Sequence, residues 1–86
     1  LRGNDAVARR VAMLQDTRAI RFYQRLTDAL VELRQRGYSL DELRLYLDGY
    51  LAALRHGSEL EPYLVHRLEE DVVRFMYDPS NLTGVS

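Results

Sequence analysis

Apolar residues recur every three to four positions along three stretches of this chain, with charge on the opposite side of each. At about 100° per residue, Ala19, Phe22, Tyr23, Leu26, Ala29, Leu30 and Leu33 share one arc of about 120°. Arg18, Arg21, Arg25, Asp28 and Glu32 line the other side. This predicts a helix from about Thr17, capped by Asp16, to Arg36. A second helix is expected from Leu40 to His56, closing at Gly57, with Leu40, Leu43, Tyr46, Leu47, Tyr50, Leu51 and Leu54 buried. A third begins near Pro62, a residue suited to a first turn, after a connecting turn at Ser58–Glu61. It buries Leu64, Val65, Leu68, Val72, Phe75 and Met76, and Asp78-Pro79 stops it. No stretch alternates as a strand does. Three apolar helical faces on short loops predict an all-α fold, a small antiparallel three-helix bundle over residues 16–78. Val7, Val11 and Leu14 have helical spacing behind Asn4 or Asp5, so residues 1–15 read as an N-terminal extension with a short helix. Residues 79–86 read as a flexible C-terminal tail.

The sharpest local signal is Gly37-Tyr-Ser-Leu-Asp-Glu-Leu43. Gly37 can close a helix in the left-handed conformation. Ser39 and Glu42 have capping-box spacing, and Tyr38 and Leu43 have that of a hydrophobic staple. Together they predict a helical hairpin.

At 86 residues, with 47% hydrophobic and 29% charged, the chain is one globular domain and not a disordered segment. No apolar run approaches the roughly 20 residues of a membrane span. The first dozen residues hold no apolar signal-peptide core, and there is no cysteine. The expected location is the cytoplasm. Met13 is a candidate native start.

All 12 basic residues are arginine. Arginine suits phosphate, but the abundance of Leu, Ala and Val beside the single Ile20 is the mark of a GC-rich genome. The net charge of −1 divides unevenly: residues 1–37 carry eight Arg against four carboxylates, and residues 38–86 four Arg against nine. A near-neutral whole disfavours nucleic acid. The split favours pairing between helices or between copies of the chain.

Two strips remain outside the core arcs. On the third helix Tyr63, His66, Glu70, Val73 and Tyr77 form a candidate partner face, with His66 and Glu70 one turn apart. On the second, Leu45, Gly49, Ala52 and His56 form another. Gly49 in a helix interior costs about 1 kcal/mol relative to Ala. It either admits an external helix or relieves crowding inside the bundle. Tyr23, Tyr38, Tyr46 and Tyr50 read as core-edge residues with their hydroxyls in water.

Catalytic signals are thin. His56 and His66 are the only histidines, and no phosphate-cradling glycine loop or zinc motif occurs. His66 with Glu69, Glu70 and Asp71 reads as a solvated acidic patch and not a metal site. No enzyme, cofactor or metal is expected.

Residues 33–45, Leu-Arg-Gln-Arg-Gly-Tyr-Ser-Leu-Asp-Glu-Leu-Arg-Leu, resemble the segment that follows the winged helix-turn-helix of MerR-type regulators. The groove-reading half of that family is absent here. A recognition helix placed after His56–Ser58 would carry Glu69, Glu70 and Asp71, which phosphate repels.

From Met13 on, the chain resembles a family of small all-helical cyanobacterial proteins of unassigned function. Met13-Leu-Gln-Asp-Thr17, Leu43-Arg-Leu-Tyr-Leu-Asp-Gly-Tyr-Leu-Ala-Ala-Leu-Arg-His56, Glu61-Pro-Tyr-Leu-Val-His-Arg-Leu-Glu-Glu70 and Asp78-Pro-Ser-Asn81 carry the likeness. The resemblance implies an accessory or regulatory role and places residues 1–12 outside the common domain. The expected function is a non-catalytic protein-protein interaction module, self-association included. A nucleic-acid-associated regulator is the alternative, and a small-molecule-binding helical domain is the third reading.

Overall fold

The structure, a computed structural model, describes residues 16–82. The short helix expected around Val7, Val11 and Leu14 lies outside the described residues. Three helices follow in order: α1, Thr17–Gln35; α2, Leu40–Gly57; and α3, Pro62–Met76. Each packs on the other two, and among the described residues there is no strand. The chain is a small all-α three-helix bundle.

The helix ends follow from local chemistry. Asp16 Oδ1 accepts from the Ala19 backbone N–H at 3.0 Å and opens α1. Gly37, at φ +99°, closes it in a Schellman arrangement. Its N–H donates to the Arg34 carbonyl at 3.0 Å, and the Tyr38 N–H donates to the Leu33 carbonyl at 3.2 Å. The capping box is complete. Glu42 N–H donates to Ser39 Oγ at 3.2 Å, and Ser39 N–H donates to Glu42 Oε1 at 2.8 Å. Pro62 opens α3 with no side-chain cap.

Leu26, Leu30, Leu43, Leu47, Leu51, Leu68, Val65, Val72 and Met76 are fully buried. Four positions depart from the expected pattern. Thr27 is buried because its hydroxyl donates into its own helix, to the Tyr23 carbonyl at 2.9 Å and the Gln24 carbonyl at 3.2 Å. Tyr46, expected in the core, is exposed on the flank of α2 and leans on Tyr50, with ring centroids 6.0 Å apart. Gly57 stays helical, and Ser58 takes the left-handed conformation instead, at φ 54°. The turn beyond it buries Leu60.

The fourth departure is the tail. Helix α3 ends at Met76, before Asp78-Pro79 is reached. Asp78 Oδ1 then accepts from the Ser80 N–H at 2.9 Å and the Ser80 hydroxyl at 2.7 Å. Asn81 Nδ2 donates to the Phe75 carbonyl at 3.1 Å. This turn delivers Leu82 into the core at 0% exposure. The boundary expected at residue 78 is therefore too early, because the bundle uses Leu82 as a core residue. Residues 83–86 lie outside the described residues.

Candidate functional site

The two strips fare differently in three dimensions. On α3, Tyr63 and Tyr77 are 51% and 52% exposed. They lie at opposite ends of the helix, about 21 Å apart along its axis at 1.5 Å per residue. Val73, expected on this strip, is half-buried and packs against the core. The middle of the strip is ionic. His66 Nε2 and Arg67 each stand 3.8 Å from a Glu70 oxygen. The helix thus brings His66 and Glu70 together and leaves the two tyrosines separate.

The outer side of α2 is a continuous surface. Leu45 is 72% exposed, and among the described residues it is the one large aliphatic side chain left in solvent. Gly49, Ala53 and His56 are exposed beside it, and Ala52 is half-buried. Tyr46 extends the surface on one flank. Tyr50 continues it toward α1, meeting Phe22 edge-on at 6.3 Å. The charged groups of this stretch, Asp48 and Arg55, sit on the far flank. Arg44 holds Asp48 at 3.1 Å, and Arg55 reaches Glu69 of α3 at 3.3 Å.

Gly49 settles a choice the sequence leaves open. A Cβ built there would meet nothing within 4 Å. The glycine relieves no crowding among the described residues, so its cost of about 1 kcal/mol to the helix brings no packing there. Exposure of Tyr46 was the missed signal for this face. Its position on the edge of the α2 apolar arc reads as core, yet the folded chain leaves it 38% exposed.

The acidic run of α3 is not freely solvated. Glu69 accepts from Arg44 at 3.0 Å and from Arg55 at 3.3 Å, joining α2 to α3. Asp71 accepts from Arg74 at 3.2 Å. Of the two pairings the charge split favours, the one between helices of the chain does not occur among the described residues: no ion pair there joins the basic first half to the acidic second. The bridges between helices join α2 and α3, both in the acidic half. Arg18, Arg21 and Arg25 are exposed and carry no ion pair among the described residues, and the Arg25 guanidinium lies over the Phe22 ring, 6.0 Å from its centroid.

A cleft of about 540 Å³ lies between α1, the last turns of α3 and the return at residues 78–81, and the sequence does not announce it. Ile20, Tyr23 and Phe75 give it apolar walls, and Asp71, Arg74 and Asp78 a charged rim. Tyr23 meets Phe75 edge-on at 6.5 Å. Burial, then the Asp71 charge, holds the Tyr23 phenol above its usual range. Burial does the same for Tyr50. Asp78 and Asn81 of the return line the cleft together with α1 and α3, and no motif announces that return. Among the described residues, no group of three or more His, Asp or Glu side chains could hold a metal ion. No helix there is long and apolar enough to cross a membrane.

The model of DUF6761, a family of unknown function, matches residues 13–86, and the chain belongs to that family. The match begins at Met13, where the resemblance placed the start of the common domain. No curated protein and no solved structure matches the chain.

Proposed function

We propose that this DUF6761 member is a non-catalytic accessory module of the cytoplasm that works by docking another protein on the outer side of α2. One observation carries this reading: Leu45, Tyr46, Gly49 and Ala53 stand exposed on the outer side of α2, with half-buried Ala52 beside them and His56 at the end, and nothing among the described residues covers the exposed ones. Leaving a leucine in solvent forgoes about 1.5–3 kcal/mol that its burial would contribute. A glycine in the same face lowers helix stability with no internal return. Both costs become useful when a second surface closes on the helix. The α3 strip is a secondary contact at most, since its aromatics are separated and its centre is charged.

The test is affinity capture from the native cell with the parent chain and with Leu45→Arg. The variant is expected to keep its helical circular dichroism and melting temperature, because Leu45 touches solvent in the folded chain. It is expected to lose the parent's specific partner. Identical captures by parent and variant would refute the reading.

A nucleic-acid-associated role is the second reading, favoured by the exposed Arg18, Arg21 and Arg25 on α1. Phosphate-driven binding weakens as salt rises. Duplex binding that is salt-sensitive and lost when all three arginines become alanine would make this reading the stronger one.

A further inference from the structure

We propose that the occupant of the α2 face is a second copy of this chain, lying antiparallel across a twofold axis at Gly49. This rests on the reading of that face as a docking surface and names what docks there. A twofold interface must be self-complementary, with each residue meeting the one its own symmetry places opposite. The face meets that condition in shape. Relative to the line through Gly49, Leu45 and Ala52 lie on one side, four residues before and three after it. Tyr46 and Ala53 lie on the other side, three before and four after. An antiparallel copy then sets Leu45 against Ala52 of the second copy and Tyr46 against Ala53 of the second copy. Each large side chain meets a small one, and glycine meets glycine at the crossing. Two helices can then approach to about 8 Å, the close end of the usual range.

Charge meets the same condition. Helix α2 carries Asp41 and Glu42 in its first turn and Arg55 and His56 in its last. An antiparallel pair brings the acidic turn of each copy beside the basic turn of the other. Glu42 and His56 sit seven residues either side of Gly49, each within about 20° of the line. They face each other at both ends of an 18-residue helix. The Glu42 carboxylate uses one oxygen in the capping box and keeps the other for a donor. A parallel arrangement would set acid against acid. An unrelated partner would have no reason to find large and small residues mirrored about one glycine.

The full chain is expected to sediment as a dimer that dissociates on dilution. Gly49→Leu places a side chain in open space of the monomer and restores a good helix former, so it keeps the fold. It is expected to weaken dimerisation at least tenfold. Leu45→Ala and Ala52→Leu should each weaken it, and the double variant should recover most of the loss. The chain has no cysteine, so Gly49→Cys introduces a single thiol that should form a disulfide-linked dimer on mild oxidation. A parent that stays monomeric at its highest soluble concentration overturns the proposal. So does a dimer that Gly49→Leu leaves intact, since such a dimer uses another surface. The docking reading fails separately. A monomeric parent whose specific partner is lost in Leu45→Arg keeps the docking face and removes only the second copy, whereas a variant that changes neither association removes both.

Discussion

Replacing Gly49 with alanine should make the monomer more stable. Glycine in a helix interior is less favourable than alanine by about 0.8–1.0 kcal/mol. The reason is that glycine loses more backbone freedom on folding. That gain is realised only when the new methyl group meets no clash, and among the described residues a Cβ here finds nothing within 4 Å. Flanking residues already hold helical geometry from Leu40 to Gly57. In a domain of this size, about 1 kcal/mol shifts the melting temperature by about 4–8 °C. Thermal unfolding followed by far-ultraviolet circular dichroism reads that shift. The measurement belongs at low protein concentration, where mass action does not couple melting to association. A loss of stability in dilute solution would refute the reasoning, because it would mean that something in the folded chain already fills the space beside Gly49. A gain in dilute solution with weaker association at high concentration would separate the two roles of the residue.

Leu82→Ala should destabilise the bundle by about 2–5 kcal/mol, as truncation of a fully buried leucine does; urea unfolding measures it, and a change under 0.5 kcal/mol would return Leu82 to the tail. Hydrogen bonds from the Ser80 hydroxyl and N–H lower the pKa of Asp78, so its carboxyl should titrate below the ordinary 3.8 in a carbon-detected NMR titration. Since the folded value is the depressed one, the turn's contribution is present above the unfolded pKa and is lost as pH falls through the folded value. Ser80→Ala, which removes the larger of the two causes, should move that midpoint upward.

How much of this was legible in the sequence depends on the range of the interaction involved. The Schellman close at Gly37, the Ser39–Glu42 box and the Asp16 cap are contacts across three to five residues, and spacing alone announced them. The core arcs of α1, α2 and α3 were legible because helical periodicity reports which side faces inward. Thr27 was hidden because a hydroxyl counts as polar until its own helix accepts the hydrogen bond. Tyr46 and Val73 lie at arc edges, where a modest rotation of one helix against another decides exposure. Leu82 was hidden because its burial depends on the turn at Asp78–Asn81, which has no periodicity to read. The Leu45–Gly49–Ala52 strip was visible as a leftover, but the sequence alone could not say whether Gly49 met another helix of the same chain.

The ion pairs sharpen what the leftover surfaces mean. Arg44 and Arg55 reach from α2 to a shared Glu69 on α3. Exposed pairs of this kind contribute about 0–1 kcal/mol each, so they add less to stability than the apolar core does. Their placement still has a consequence. They draw the charged groups of α2 toward the α3 flank and leave its outer side without charge from Leu45 to Ala53. A carboxylate on that side would favour solvent. The chain instead keeps Leu45 beside a glycine that weakens its own helix. Taken within one copy, the glycine lowers helix stability and the leucine gains nothing from burial. A second surface that removes Leu45 and Tyr46 from water supplies that gain, and the spacing of large and small residues about Gly49 is the spacing that a second α2 would meet.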